Sequence, residues 1–227
     1  IQSIWDMGVI HRANQRLGTD FTLELLSRQG FDAVFLGIGA QLSRRIPLDD
    51  GDHPEVLWAV EFLRDVAMGR RVRLKPTIVV IGGGNMAVDA AMTALRCGAK
   101  NVCMACLERE AQMPASPWEL ATAVAEGISV LPGLGAYKIQ SWKGNIIALD
   151  LVECTRVFDR KGNFSPRFNK KNRTCLPADQ IIMAMGQATD LSFLADGSPI
   201  ATQSGLMVVD DALATGMDRV YAGGDGV

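Results

Sequence analysis

An α/β fold with three layers around a parallel sheet is predicted by three features of this 227-residue sequence. First, "TIVVI" at 77–81 and "NVCMACL" at 101–107 are apolar runs without alternation, the pattern of strands covered on both faces. Second, the segment joining them carries Ala87, Ala90, Ala91 and Ala94 at helical spacing, a stripe of small residues that lets a helix lie close on a sheet. Third, "FDAVFLGIGA" at 31–40 and "ADQIIMAMGQ" at 178–187 repeat one layout, an Asp, an apolar strand and a Gly seven positions on.

Composition bounds the class. Hydrophobic residues make up 48% and charged residues 21%, with a formal charge of −2, so neither disorder nor a nucleic-acid partner is indicated. No apolar run is long enough to span a bilayer, and the start lacks the basic region and apolar core of a signal peptide; a cytoplasmic protein is expected. The five cysteines are odd in number and form no secreted disulfide framework, so reduced thiols are expected. The chain opens on Ile1 and closes on "YAGGDGV", which reads as a piece of something longer.

In chain order, "LLSRQG" closes a helix, and "EVLWAVEFLRDVAMG" forms an amphipathic helix stopped at Gly69. After 77–81 the chain turns at Gly82, Gly83 and Gly84 and enters the alanine-striped helix, whose stop is Gly98. Gly82, Gly84 and Ala87 make the order G-x-G-x-x-A, a dinucleotide fingerprint on a Rossmann-like βαβ unit. The first glycine permits the tight turn, the second admits a pyrophosphate against bare backbone, and the small third residue allows close helix packing. Backbone N–H groups of Asn85 and Met86 are the expected donors, aided by the helix dipole. At the end of the second strand Glu108 can accept both adenosine ribose hydroxyls and repel a 2′-phosphate, which favours NAD(H) over NADP(H). Arg109 follows, and an arginine there could instead turn onto a 2′-phosphate.

Cys103 and Cys106 have the C-x-x-C spacing of a redox dithiol, which keeps a disulfide reductase in view, but residues three apart on a strand point to opposite faces. "MPASPWELATAVAEGISVL" reads as a loop, a helix capped near Ser116 with Pro117 in its first turn, and a further parallel strand, all scaffold. "AYKIQSWKGNIIALDLVECTRVFD" alternates about Lys143-Gly144-Asn145, an antiparallel hairpin covering one face of the sheet. From Arg156 to Arg173, seven basic residues interleave with Phe158, Phe164 and Phe168. Gly162, Pro166 and three asparagines make this a solvated hairpin loop, with a docking surface for an acidic partner as the other reading. His11 and His53 stand alone, so no metal site is expected.

Taken together, "LGTDFTLELLSRQGFDAVFLGIGAQLSR", "VLWAVEFLRDV", "VIGGGNMAVDAAMTALRCGAKNV", "MPAS", "AMGQATDLSFL" and "VYAGGD" resemble, in order, segments of the glutamate synthase small (beta) subunit family. These are flavin-linked reductases with two dinucleotide-binding domains. The resemblance implies an NAD(P)-binding domain at 73–199 inserted in a partial FAD-binding domain formed by 1–72 and 200–227. It implies Gly224 and Asp225 as the remaining FAD contacts, the aspartate on the ribityl chain, and Gly186 with Gln187 near the nicotinamide. The implied activity is hydride transfer from NAD(P)H to FAD and onward to a partner subunit or iron–sulfur centre, with no catalytic side chain required. The family's amino-terminal FAD fingerprint is absent, and so are the paired arginines of its NADPH-using members, since the chain reads Cys106, Leu107, Glu108. A non-catalytic NAD(H)-binding regulatory module is the alternative.

Overall fold

The computed structural model describes residues 2–227. The chain divides into two compact units, one formed by residues up to Gln41 with Ala188–Val227, the other by Leu42–Gln187. The divisions between the units fall at 41/42 and 187/188. Residues 42–72 go with the larger unit because Val56–Trp58, read from sequence as the start of a helix, is a strand of its sheet. Trp58 is extended and caps the helix, which begins only at Ala59 and runs to Ala67.

In the larger unit five strands lie parallel in the order Val56–Trp58, Gln180–Met183, Thr77–Ile81, Asn101–Cys106 and Ser129–Pro132. Thr77–Ile81 is central, so its residues face a covered layer on each side. Ile78 and Val80 join Val102, Met104 and Ile182 against the helices, meeting Ala59, Phe62, Ala87, Ala90, Ala91, Ala94 and Ala123. Val79 and Ile81 join Ala105, Ile181 and Met183 on the opposite face, against Ile139, Ile146, Leu149 and Leu151. Period-two alternation on a two-sided strand thus builds two cores at once.

The helix Asn85–Arg96 ends as its glycine predicts. Gly98 has φ 108°, its N–H bonds the Leu95 carbonyl at 3.1 Å, and the Ala99 N–H reaches the Ala94 carbonyl at 3.1 Å, a Schellman closure. Pro117 opens the helix Pro117–Ala125, but Ser116 makes no side-chain cap bond.

The second layer is an antiparallel sheet of Leu134–Trp142, Asn145–Phe158 and Phe164–Pro177. Lys143 (φ 50°) and Gly144 (φ 76°) form the two-residue turn between the first two strands, both left-handed as a type I′ turn demands. The expected solvated loop at 156–173 is corrected: only residues 159–163 turn, and Phe164–Pro177 is a 14-residue edge strand. Asp159 holds the tip by accepting from the Lys161 N–H at 2.8 Å and the Asn163 N–H at 2.9 Å. Cross-strand bonding to 148–158 satisfies the backbone, while the polar side chains stay exposed along most of the strand.

The smaller unit contains the parallel pair Val34–Leu36 and Val220–Ala222, so the segment at 31–40 and the closing segment share one sheet. Leu36, Val220 and Ala222 pack with Leu23, Ile200 and Met207, while Phe35 and Tyr221, on the other face, are exposed. Among the described residues no helix is long and apolar enough to cross a membrane.

Candidate functional site

A cavity of about 680 Å³ opens over the carboxyl ends of three neighbouring strands of the larger unit, lined by residues 81–86, 106–108 and 184–186. Ligands settle at this end of open α/β sheets, where connections leave the central strand in opposite directions. The Gly82 N–H bonds the Ala105 carbonyl and the Ala184 N–H bonds the Ile81 carbonyl, 2.9 and 2.8 Å, so the loops leave the sheet in fixed positions.

The three glycines have different reasons to be glycine. Gly82 has φ 148°, and a Cβ there would lie 2.2 Å from the Ala184 carbonyl oxygen and 3.2 Å from the Ala87 methyl. A Cβ on Gly83 would lie 2.9 Å from both the Cys106 Cβ and a Glu108 carboxylate oxygen. At Gly84 it would meet only Pro114, at 3.9 Å. The protein therefore forbids side chains at the first two positions and leaves open space at the third, as expected where a ligand approaches bare backbone.

Gly84 caps the helix with extended backbone and no side-chain bond. Among the described residues the N–H groups of Asn85 and Met86 find no protein acceptor, and both residues line the cavity. The Asn85 side chain is turned away to accept the Ser116 N–H at 2.7 Å, and the Gly83 carbonyl accepts the Ala115 N–H at 3.0 Å. "MPAS", read as scaffold, is thus a strap over the glycine loop, with Pro114 on the cavity wall. A cavity bounded by two unpaired donors at a 12-residue helix N-terminus, with no side chain in the way, can hold a diphosphate.

Of the residues singled out from sequence, Gly82, Gly83, Gly84, Asn85, Met86, Glu108 and Gly186 line the cavity, and Ala87 lies buried behind the loop. Gly186 has φ 101° and its carbonyl accepts the Arg44 N–H at 3.0 Å. Arg109 and Gln187 are exposed and outside the lining. Gly224 (φ 79°) and Asp225 belong to the smaller unit, where the Asp225 carbonyl accepts from the Thr189 hydroxyl at 3.2 Å. Sequence reasoning missed Arg44, the cation on the wall, and Phe164, Pro166 and Phe168 from the hairpin. Their alternate spacing at 164, 166 and 168 was the available signal for a strand face.

Cys103 and Cys106 diverge as strand geometry requires. Cys106 is buried and lines the cavity, and its neighbour two back, Met104, packs toward the helices, whereas Ala105 packs toward the antiparallel sheet. Burial, then the Glu108 carboxylate, pushes the Cys106 thiol up to about 11, and burial also raises Cys103. Two such thiols are poor nucleophiles at neutral pH.

Similarity to known proteins extends over the whole chain. It is 36% identical over 233 residues to the NADP(+)-dependent formate dehydrogenase subunit beta of Moorella thermoacetica, covering 99% of this chain and 32% of that one. To the glutamate synthase [NADPH] small chain of Escherichia coli it is 30% identical over 238 residues, covering 96% and 50% respectively. The resemblance read from sequence is thereby met, and the chain spans about a third to a half of the length of these relatives. FprA of Mycobacterium tuberculosis in complex with NADPH superposes with a TM-score of 0.70 at 20% identity, over 93% of this chain and 61% of that one, a likeness of fold. The family model described as "Pyridine nucleotide-disulphide oxidoreductase" matches residues 10–227, and the chain belongs to that family.

Proposed function

We propose that the cavity of the larger unit binds a pyridine dinucleotide, and that the protein of which this chain forms part transfers a hydride from NAD(P)H to FAD and passes the electrons to a partner subunit. The observation that carries the reading is the pair of unpaired N–H groups at Asn85 and Met86 facing a cavity where Gly84 offers no side chain. These donors, with Gly82 and Gly83 keeping the loop flat, hold the pyrophosphate. Glu108, beside Gly83, takes the adenosine ribose, and Gly186, at the other end of the lining, borders the nicotinamide.

When bound, the nicotinamide supplies the hydride and the flavin receives it. The residues of the chain position these groups, and no side-chain acid or base is assigned to the step. For the flavin half, Gly224 and the exposed Asp225 carboxylate, which has no hydrogen-bond partner among the described residues, fit a hydroxyl-bearing ribityl chain. The exposed Phe35 and Tyr221 on a two-stranded parallel sheet support the reading of the smaller unit as part of a larger domain, since parallel sheets are normally covered on both faces. Relatives named as beta subunits or small chains support the partner. Five unpaired cysteines support a cytoplasmic site.

NADH is the proposed preference, because a carboxylate at the ribose end opposes a 2′-phosphate. The named relatives use NADP(H), and an exposed Arg109 next to Glu108 is the residue through which this chain would follow them. Calorimetric titration with NADH and NADPH, repeated with Glu108→Ala, decides. Tighter NADH binding with the gap narrowed by the substitution supports the proposal. Tighter NADPH binding reverses the preference, and binding of neither removes the dinucleotide site.

A further inference from the structure

We infer that the hairpin between Arg156 and Arg173 carries a docking surface for an acidic face of a partner protein; that a partner subunit fills this role rests on the reading above. Residues 156–173 hold seven cations and one carboxylate in a chain of formal charge −2, so the positive excess is local and the remaining surface is net acidic. Among the described residues none of the seven joins an ion pair, and none lines the dinucleotide cavity.

The carboxylates of the two strands and their turn are spent on amides. Asp150 accepts from the Gln140 amide at 2.8 Å, Glu153 from the Asn169 and Asn172 amides at 3.1 Å each, and Asp159 from the Asn163 amide at 3.1 Å. Those bonds fix the cations instead of neutralising them. Glu153 ties down a bulge at 170–172, which interrupts the pairing between Val152–Arg173 and Glu153–Asn169 and presents Lys170 and Lys171, both exposed. Arg173 is held 4.1 Å over the Tyr137 ring and donates to the Tyr137 hydroxyl at 3.1 Å. Donors fixed before binding lose little freedom on meeting a carboxylate.

Arg156 and Arg167 point most directly to the charge of the partner. They stand opposite each other across the two strands, where like charges repel, and the Arg156 Nε is buried with no acceptor among the described residues. A carboxylate brought to this pair relieves the repulsion and accepts from both guanidinium groups. Arg167 lies between Pro166 and Phe168, which line the cavity, so strand alternation puts it on the opposite face, away from the nucleotide. Phe158, 46% exposed at the end of its strand, adds an apolar contact, and aromatic and arginine side chains together are enriched where proteins meet. The net acidic remainder of the surface opposes a long polyanion such as nucleic acid.

The test is fluorescence anisotropy of labelled poly-L-glutamate titrated with the chain at about 0.01 M and about 0.15 M salt, with NADH titrated separately into each variant. Lys170→Glu with Lys171→Glu is expected to weaken poly-L-glutamate binding by roughly tenfold or more at the lower salt. Arg71→Glu with Lys100→Glu, the same change of net charge at exposed positions elsewhere, should weaken it by less than about threefold. Arg167→Ala should weaken it by roughly threefold or more while leaving the denaturation midpoint unchanged or raised, because it removes a like charge. Equal losses in the two double variants, or unchanged binding by Arg167→Ala, overturn the surface. Tighter binding of duplex DNA than of poly-L-glutamate, lost in the same variants, also overturns it, as does a fall in NADH affinity on changing Lys170 and Lys171, which would move them into the nucleotide site. Failure of the unaltered chain to bind NADH defeats the dinucleotide reading alone, because the surface is judged by the poly-L-glutamate titration.

Discussion

The glycine loop and the hairpin wall border the same cavity, yet they are held in place by opposite means. At 82–84 the backbone itself is the constraint: Gly82 is wedged under the Ala184 carbonyl, and the strap at Ala115 and Ser116 is tied to the loop by two hydrogen bonds. At 164–168 the constraint is strand pairing, with Phe164 64% exposed and edge-on to Phe158 at 6.1 Å. A loop that offers backbone groups to a diphosphate gains from rigidity, because donors fixed in advance lose no entropy on binding.

The largest effect is expected at Gly82. Gly82→Val should destabilise the chain by about 3 kcal/mol or more, through a left-handed φ and a clash with rigid backbone, as chemical denaturation will report. Next comes the buried side of the antiparallel sheet. Leu151→Ala, fully enclosed between the layers, is expected to cost about 2 to 4 kcal/mol, while Phe164→Ala on the cavity side should stay within about 1 kcal/mol. Equal costs would mean that the wall is structural core.

Cys106, on the wall of the same cavity, should respond to pH. Its folded thiol lies near 11 against an ordinary 9, so its contribution to stability is complete below about pH 9 and is lost as pH rises toward 11. Replacement by Ala should flatten the alkaline fall in stability by on the order of 1 kcal/mol over that window; an identical pH profile would show that the thiol is not held protonated by the fold. The smallest effect on stability is expected at Gly84. Gly84→Ser keeps a good helix cap in open space, so stability should move by less than about 0.5 kcal/mol, while NADH affinity should fall by about tenfold or more if the side chain enters the proposed pyrophosphate position. Weak binding accompanied by unfolding would refute the distinction between Gly82 and Gly84.

Much of the site was legible because its signals are local. A βαβ unit announces itself through an apolar strand, a glycine turn and a helix whose alanine stripe must face the sheet, and Glu108 is located by counting to the end of the next strand. The segment at 156–173 misled because composition and register disagree. Seven cations and three asparagines describe a solvated loop, yet the residues that pair with 148–158 do so through their backbone, which composition does not report. Trp58 and its neighbours misled for a related reason: a helical periodicity that starts at Ala59 is preceded by three residues whose role is set by a strand more than a hundred positions away.

The parallel sheet, the helix stops, the glycine turn and the divergence of Cys103 from Cys106 follow from local sequence, since each depends on periodicity or backbone sterics within some thirty residues. That Arg44, the "MPAS" strap and the aromatic face of the hairpin meet the same cavity, and that residues 42–72 go with the larger unit, depends on tertiary packing. Those relations join segments far apart in the chain, and they exist because the two faces of one central sheet must both be covered, a requirement that no local stretch of sequence contains.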